Sequence, residues 1–198
     1  MSRERQPPSP SMPSDERRLL LVSGSLRRGS VNTAVLESVR RTVPPSVDAC
    51  FYEELASLPH FNPDLDPVDP AAAPPEVVAM RAAVSASDAV LICTPEYAGA
   101  VPGALKNLLE WTIGSASLVD KPVAWINPST SPARAQRAHE ALRATLEYTG
   151  CRLVHGACLD LPVPRTSVRE GTVDDPALDH RFQAAAAVLL AASGSGAS

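Results

Sequence analysis

The sequence predicts an α/β domain in which helices cover both faces of a doubly wound parallel sheet. Three short segments, at 19–22, 89–93 and 123–126, are apolar at every position. Strands with that pattern are buried on both faces, as they are in parallel sheets. Each segment ends in a polar loop that leads into a stretch with helical periodicity, and this alternation is typical of doubly wound sheets. Ligands of such sheets bind beyond the carboxyl ends of the strands, so we expect function in the three polar loops.

The first half of the chain is predicted to contain two strands and two helices. The strand at 19–22 leads into a helix at 32–42, which has an apolar face and stops before two prolines. A second strand is expected at 47–52. The segment 58–67 has too many prolines for either regular element and is predicted to be a long surface connection. A short helix at 75–87 begins with proline, whose missing N–H is tolerated in the first turn.

The second half is predicted to continue the alternation. Its elements are strand 89–93, helix 102–112, strand 123–126, helix 133–148, a last strand beginning at 151–154 and an alanine-rich helix at 175–192. The helix at 133–148 places alanine and leucine on one face and charged residues elsewhere, and Gly150 ends it. Five strands alternating with helices are therefore expected.

The chain is expected to form a single domain with unstructured ends. Its 198 residues suffice for one α/β domain with a sizeable core and fall short of two. Residues 1–16 are rich in proline, serine and arginine and cannot bury enough apolar surface to offset the cost of ordering, so we predict a disordered arm. The domain is predicted to span 17–192, and residues 193–198 are predicted to be a flexible tail.

Composition disfavours several classes of function. The chain has 18 Lys and Arg against 22 Asp and Glu, a net charge of -4, and no dense basic run, which argues against a nucleic-acid binder. No apolar stretch is long enough for a signal peptide or a membrane span, so a cytoplasmic protein is expected. The 4 cysteines form no C-x-x-C pair, which fits free thiols in a reducing compartment.

The histidines and the aspartates do not indicate a metal site. The 4 histidines are dispersed, and none pairs with cysteine or carboxylate at the spacing of metal ligands. Asp64, Asp66 and Asp69 alternate with prolines and lack the glycine and terminal glutamate of a calcium loop, so we expect a solvated loop there. No G-x-S-x-G turn of a serine hydrolase occurs either. A metalloenzyme and a serine hydrolase are therefore both disfavoured.

The first polar loop, residues 23–32, has the composition of a phosphate site. It places hydroxyls, an amide and two guanidinium groups at the start of a predicted helix, where free N–H groups favour anions. Gly24 and Gly29 have Walker A spacing, but Ser30-Val31 stands where that loop needs Lys-Ser/Thr. The dinucleotide-binding G-x-G-x-x-G is also absent, so a single phosphomonoester fits better. Two simpler interpretations stay open: Ser25 or Ser30 only caps the helix, and Arg28 is a solvated surface charge.

The second polar loop, residues 94–103, has a proline near each end and glycines between them. The prolines stiffen the loop, and the glycines allow its backbone to approach a flat ligand closely. A rigid crossover without a ligand is the alternative interpretation.

Taken together, the two loops carry longer motifs. The first motif is Ser23-Gly24-Ser25-Leu26-Arg27 with Ser30 and Asn32, and the second is Pro95-Glu96-Tyr97 with Pro102-Gly103 and Leu105-Lys106-Asn107. These motifs closely resemble those of the NADPH-dependent FMN reductase family of flavodoxin-like proteins. The resemblance extends from about Arg18 to the end of the last strand.

The resemblance implies a flavodoxin-like, five-stranded doubly wound sheet of order 2-1-3-4-5 that holds FMN noncovalently. By this match the phosphate is held by Ser25, Arg27, Ser30 and Asn32, and the isoalloxazine ring is lined by Pro95, Glu96, Tyr97 and Ala98, largely through backbone groups. The predicted cofactor-binding set is completed by Ser23, Gly99 and Ser129. No catalytic side chain is predicted, because hydride transfer is the chemistry of FMN.

The chain departs from the family pattern at two places. Many members carry Asn after the Tyr, where this chain has Ala98, so only the main chain can serve there. The third polar loop, residues 127–133, is rich in Ser, Thr and Pro where relatives are often rich in glycine. Both departures affect the edge of the predicted flavin site.

The predicted function is an FMN-dependent oxidoreductase with NAD(P)H as co-substrate and a quinone, flavin or similar small oxidant as acceptor, working by a ping-pong mechanism. The alternatives are a flavodoxin-like electron carrier that docks to a protein partner and a flavin-free structural protein of the same fold, which would purify without colour. The net charge of -4 disfavours the carrier, because carriers usually present a strongly acidic docking face. An apolar stripe containing Leu108 and Trp111 is expected to pack either against the domain or against a second subunit. The resemblance, which implies dimers and tetramers, favours the subunit surface and predicts a homodimer or homotetramer.

Overall fold

The described part of the chain, residues 16–131 and 135–195 of a computed structural model, contains eight strands and five α-helices. In chain order these are β1 Arg17–Ser23, α1 Val31–Thr42, β2 Val47–Phe51, α2 Pro75–Ala86, β3 Ala89–Cys93, α3 Gly103–Trp111, β4 Pro122–Asn127, α4 Gln136–Tyr148, β5 Arg152–Leu153, β6 Leu159–Asp160, β7 Val168–Arg169, β8 Thr172–Val173 and α5 Pro176–Ala191. The predicted elements of both halves are present, with ends displaced by a few residues.

The main sheet is parallel and has the strand order β2-β1-β3-β4-β5. Leu19 of β1 pairs with Ala49 of β2 on one side and with Ala89 of β3 on the other. This order is the flavodoxin-like 2-1-3-4-5 arrangement, so the predicted fold class is confirmed.

The sheet edge beside β4 is shared by two short strands rather than one. β5 pairs with the start of β4 and β6 with its end, and a 3-10 turn at His155–Ala157 separates them. The last strand predicted from 151–154 therefore corresponds to β5 alone. The interruption carries the chain along the sheet to Asn127, which pairs with Asp160 at the carboxyl end of β4.

Alternate residues of β1 pack into two separate cores. Leu20 and Val22 face the side of α2, α3 and α4, whereas Leu19 and Leu21 face the side of α1 and α5. A strand covered on both faces needs an apolar residue at every position, which is the pattern that predicted it. Helices therefore lie on both faces of the sheet, as predicted.

The proline-rich connection predicted for the surface is docked on α3. Trp111 Nε1 and Asn107 Nδ2 donate to the carbonyl oxygen of Pro59 at 2.8 and 2.9 Å. The ring of Phe61 meets that of Trp111 edge to face, with centroids 4.9 Å apart. Trp111 is fully buried and Leu108 nearly so. The prediction that this stripe forms a subunit surface is wrong, because residues of the same chain bury it.

The side chain of Asp66 is mostly buried, where the sequence indicated a solvated loop. Its Oδ1 accepts a hydrogen bond from Arg81 Nη2 at 2.8 Å, and the two side chains are only 11% and 7% exposed. Arg81 Nε donates to the carbonyl oxygen of Trp111 at 2.9 Å. Asp64 and Asp69 are exposed, as predicted. The prediction for Asp66 is wrong because a buried cation on α2 recruits its carboxylate.

Residues 161–175, here called the post-β6 segment, are held in place at both ends, which the sequence did not indicate. The backbone N–H groups of Leu161 and Val163 donate to carbonyl oxygens at the end of β4, at 2.9 and 3.0 Å. Farther on, β7 and β8 form an antiparallel hairpin. Val173 N then donates to the buried Ser38 Oγ of α1 at 2.8 Å. The segment thus crosses from β4 to α1.

Most of the predicted arm at 1–16 lies outside the described residues, as do 196–198 of the predicted tail. Residues 192–195 continue α5 as a 3-10 turn, and the guanidinium of Arg17 donates to the hydroxyl of Ser193. Within 16–131 and 135–195, no helix has both the length and the hydropathy to cross a bilayer. The same residues contain no group of three or more His, Cys, Asp and Glu side chains suited to a metal ion.

Candidate cofactor site

An open cavity of about 890 Å³, here called the cleft, lies at the carboxyl ends of the strands of the main sheet. Four parts of the chain surround it: the start of α1, the end of β3, the loop after β4 and the post-β6 segment. Its lining residues are Val31, Asn32, Thr94, Pro95, Glu96, Asn127, Pro128, Ser129, Thr130, Ala135, Val163, Pro164, Arg165 and Thr166. The cleft therefore lies at the edge of the sheet where a ligand was expected.

The first two polar loops meet where Gly24 lies against Thr94. Gly24 N donates to the carbonyl oxygen of Cys93 at 2.9 Å. A Cβ atom on residue 24 would lie 2.7 Å from Thr94 Cβ and closer still to Thr94 Oγ1, and Thr94 is fully buried. Real Cβ atoms do not approach so closely, so only glycine fits at this position. The missing side chain sets the spacing of the two loops.

The hydroxyls of the first loop are already engaged in protein contacts. Ser23 Oγ lies 2.9 Å from Thr33 Oγ1. Ser25 Oγ accepts a hydrogen bond from Arg27 N at 3.3 Å and lies 3.4 Å from the hydroxyl of Tyr97 in the second loop. Ser23 thus shapes the loop internally, while Ser25 stands at the junction of the two loops.

The N-terminal end of α1 is not neutralised by any carboxylate of its own first turn. Ser30 caps the helix, because its Oγ accepts a hydrogen bond from Asn32 N at 3.2 Å. No acidic residue occurs in the first turn. Arg27 and Arg28 are exposed, and neither forms an ion pair within the described residues. The free N–H groups and the two guanidinium groups make this loop attractive to an anion.

The second loop contains a tight turn at residues 97–100. Tyr97 and Ala100 exchange two backbone hydrogen bonds of 3.0 Å. Between them, Ala98 has a φ of 51° and Gly99 a φ of 76°. Positive φ at both central positions is the pattern of a type I′ turn, for which Asn-Gly is the preferred pair. Asparagine would therefore suit the backbone at position 98, and alanine adopts this conformation at a cost.

Glu96 joins the second polar loop to α4, and the third polar loop has contacts of its own. Glu96 Oε2 accepts a hydrogen bond from Ala138 N in the first turn of α4, at 3.2 Å. In the third loop, Asn127 Oδ1 accepts from Ser129 N at 3.1 Å, and Asn127 Nδ2 donates to Asp160 at 2.8 Å. Residues 132–134, which include the end of the loop predicted at 127–133, lie outside the described part. The described part of the third loop is thus fixed by hydrogen bonds of its own.

Two titratable groups near the cleft, His139 and Cys93, are buried in neutral forms and do not suit general acid–base catalysis. His139 Nδ1 donates to the carbonyl oxygen of Ala135 at 2.7 Å, which leaves Nε2 without a proton in the neutral ring. Nε2 is buried and has no partner among the described residues. Burial lowers the pKa of His139 and raises that of the Cys93 thiol well above its usual range. Both groups are therefore neutral near pH 7.

The predicted cofactor-binding residues fall into two groups. Asn32, Pro95, Glu96 and Ser129 line the cleft. The remaining ones belong to the first loop and to the turn after Glu96, namely Ser23, Ser25, Arg27, Ser30, Tyr97, Ala98 and Gly99. Sequence reasoning missed the wall formed by residues 163–166. Its only sequence signal was a cationic residue shortly after a few apolar positions, which is too common to be useful.

Residues 17–160 match the family model of the NADPH-dependent FMN reductases. The chain belongs to this family. Membership confirms the resemblance seen in the two loop motifs and the predicted class of enzyme, an oxidoreductase.

Known proteins that are similar to this chain agree with its membership of the FMN reductase family. NAD(P)H-dependent FMN reductase PA1204 of Pseudomonas aeruginosa is 34% identical over 137 residues, which cover 68% of this chain and 72% of that protein. A quinone reductase of Pseudomonas putida is 35% identical over 132 residues, which cover 65% of this chain and 68% of that protein. The solved structure of FerB, a flavoenzyme NAD(P)H:(acceptor) oxidoreductase of Paracoccus denitrificans, superposes with a TM-score of 0.72 and 25% identity, covering 90% of this chain and 97% of that one.

The residues of this family member fit a flavin that carries a phosphate. The cleft of about 890 Å³ lies within the range of roughly 300–1,000 Å³ that is usual for ligand pockets. The start of α1 presents N–H groups, hydroxyls and arginines with no competing carboxylate in its first turn. The close approach of Gly24 to Thr94 brings the first and second loops to the same edge of the sheet.

Proposed function

We propose that this protein is an FMN-dependent NAD(P)H oxidoreductase that passes electrons to a small acceptor such as a quinone or a flavin. The observation that carries the proposal is that the cleft opens beside the start of α1, whose first turn holds no carboxylate. The names of the relatives, which are FMN and quinone reductases and an NAD(P)H:(acceptor) oxidoreductase, support the same reaction class.

The phosphate of FMN is assigned to the first loop. Ser25, Arg27, Ser30 and Asn32 would hold it, together with the N–H groups at the start of α1. A phosphate needs several donors and at least one positive partner, and Arg27 has no competing ion pair within the described residues.

The ring of FMN is assigned to the second loop, with Ser129 at its far edge. When bound there, FMN would supply the chemistry of hydride acceptance from NAD(P)H and electron delivery to the acceptor, and the residues of this chain would bind and orient it. The N–H groups of Tyr97 and Ala100 are consumed by the turn, whereas those of Ala98 and Gly99 have no acceptor within the described residues. We therefore assign Ala98 N and Gly99 N as the donors for negative charge on the ring.

Donor and acceptor are proposed to use the same cleft in turn, which gives ping-pong kinetics. Steady-state rates should then give parallel double-reciprocal lines, and NAD(P)H should bleach the flavin before any acceptor is added. Intersecting lines would contradict the shared cleft, because they require donor and acceptor to be bound together.

The proposal is tested first by denaturing the purified protein and identifying the released flavin. FMN is the expected result, and FAD or no flavin would contradict it. Oxidation of NADPH by the isolated protein separates this enzyme from an electron carrier, which would need a partner protein.

Arg27 and Arg28 provide a matched pair of variants for the phosphate assignment. Both side chains are exposed and unpaired within the described residues, so they differ mainly in position. Arg27→Ala should weaken FMN binding by about 10- to 150-fold, the loss of one charge-assisted contact, whereas Arg28→Ala should not. Equal small effects in a flavin-fluorescence titration would exclude the assignment.

The predicted cytoplasmic location and the predicted homodimer or homotetramer stay predictions, as do the domain limits at 17–192. Light scattering on the purified protein tests the oligomeric state directly.

A further inference from the structure

Of the described side chains that line the cleft, Arg165 is the charged one that no protein contact uses. Among the described residues that line the cleft, Arg165 and Glu96 carry charge. The carboxylate of Glu96 is occupied by Ala138 N. Arg165 is exposed, and its guanidinium has no hydrogen-bond or ion-pair partner within the described residues, although its backbone carbonyl oxygen accepts a hydrogen bond from Val168 N. The cleft therefore contains a cation that is available to a ligand.

The backbone beneath Arg165 is fixed before any ligand binds. Val163, two residues earlier, is 2% exposed and its N–H donates to the carbonyl oxygen of Pro128 at 3.0 Å. Ser167, two residues later, accepts a hydrogen bond from Asp174 N at 2.8 Å. Binding then has to order only the side chain of Arg165, which lowers the entropic cost of a contact.

The surroundings of Arg165 favour an anion. The post-β6 segment crosses from the loop after β4 to α1, so Arg165 shares the cleft with Val31 and Asn32 at the positive end of that helix. Among the described lining residues only Glu96 carries a carboxylate, and one of its oxygens already accepts a hydrogen bond from Ala138 N. A guanidinium can donate two parallel hydrogen bonds to phosphate oxygens.

We propose that Arg165 binds a phosphate group of a ligand in the cleft. This inference rests on the proposed function, which supplies two phosphate-bearing ligands: the 5′-phosphate of FMN and the phosphates of NAD(P)H. Arg165 lies outside both loop motifs, in the post-β6 segment, and is distant from them in sequence.

The test compares Arg165→Gln with Arg169→Gln. Arg169 lies four residues away in the same segment, outside the lining of the cleft, and forms an exposed ion pair with Asp174 at 3.4 Å. Its replacement therefore controls for the loss of one positive charge. For each variant the affinities for FMN and for riboflavin are measured by fluorescence titration, and KM is measured for NADPH and NADH. Equal melting temperatures establish that both variants fold.

Two results support the proposal and identify the phosphate. If Arg165 binds FMN, Arg165→Gln weakens FMN binding by about 10- to 100-fold and leaves riboflavin binding unchanged. If Arg165 binds a phosphate of NAD(P)H, Arg165→Gln leaves FMN affinity unchanged and raises the KM for the nicotinamide cofactor by about 10- to 100-fold. In both cases Arg165→Lys recovers part of the loss, and Arg169→Gln behaves as the wild type.

Two results overturn it. One is an Arg165→Gln variant that matches Arg169→Gln in every measurement, and the other is an equal loss of FMN and riboflavin binding, which would place the contact on the ring. If the wild-type protein binds neither flavin, the proposed function fails separately. NADPH binding, followed by the fluorescence of NADPH, then tests Arg165 alone: weaker binding by Arg165→Gln than by Arg169→Gln supports the inference, and equal binding overturns it.

Discussion

Replacing Gly24 by alanine tests the contact that sets the spacing of the two predicted flavin loops. The new Cβ would lie 2.7 Å from Thr94 Cβ and closer to Thr94 Oγ1, and it would also lie 3.1 Å from Leu105 Cδ2. Thr94 is fully buried and its hydroxyl donates to the carbonyl oxygen of Pro95 at 3.3 Å, so it cannot turn aside freely. The loops must therefore separate.

The size of the effect follows from the overlap. Overpacking a close contact usually costs about 1–3 kcal/mol of stability. Because Thr94 and Leu105, which the new Cβ would meet, are both buried, we expect a cost near the upper end of that range. Gly→Ala also restricts the unfolded chain, which returns roughly 0.4–1 kcal/mol. A net loss of about 2 kcal/mol remains, or a fall in Tm of about 4–8 °C for a chain of this size.

The assay is thermal unfolding combined with FMN titration, with Gly103→Ala as the matched control. A Cβ at Gly103 meets nothing within 4 Å, and Gly103 begins α3. This control should be neutral or up to about 1 kcal/mol more stable. Gly24→Ala should also bind FMN more weakly than Gly103→Ala does.

A second substitution isolates the cause. Thr94→Ala removes Oγ1 but leaves Cβ, which still lies 2.7 Å from the added atom, so the double variant should recover only part of the stability. The two changes should couple by at least about 0.5 kcal/mol, since the residues touch. If Gly24→Ala unfolds at the same temperature as Gly103→Ala, the loops are not in the contact described and the reasoning fails.

Three further predictions concern stability. Ala98→Asn should raise the free energy of unfolding by about 0.5–1 kcal/mol in denaturant titrations, because asparagine tolerates the left-handed conformation better; no gain would contradict the turn type. Asp66→Asn should lower it by about 3 kcal/mol, because Arg81 stays buried without its carboxylate, while the exposed Asp64→Asn should change it by less than about 0.5 kcal/mol. Burial raises the pKa of Tyr52 to about 12, above the value of about 10 in the unfolded chain. The contribution of the neutral phenol to the free energy of unfolding is therefore intact below about pH 10 and is lost between about pH 10 and 12. Over that interval the wild type should lose stability relative to Tyr52→Phe, and parallel pH curves would exclude this cause.

The central strands could be predicted from the sequence because their burial leaves a local trace. β1, β3 and β4 are covered on both faces, and such strands are apolar at successive positions. β5 and β6 have only two residues each, at the edge of the sheet. Segments that short carry no periodicity, so the division of this edge left no signal to detect.

The fate of Trp111 shows a different limit. Its helical spacing indicated correctly that something covers it, but periodicity does not say what. The connection that covers it has few apolar residues and binds through the carbonyl oxygen of Pro59, which accepts hydrogen bonds from both Trp111 and Asn107. Backbone acceptors are invisible in a hydropathy pattern, so a contact within the chain was mistaken for one between subunits.

The two walls of the cleft, the loop motifs and the post-β6 segment, differ in how far their residues are detectable from sequence. The first and second loops each join the end of a strand to the start of the next helix, so residues that are neighbours in sequence are also neighbours in the site, and motifs reveal them. Arg165 reaches the cleft only because Val163 and Val173 are anchored to elements that are distant in sequence, through Pro128 and Ser38. Changes in the post-β6 segment should therefore alter ligand binding while both loop motifs stay intact. The motifs point to the class of cofactor, whereas under our proposal the choice among phosphate-bearing ligands depends on a wall that the motifs do not include.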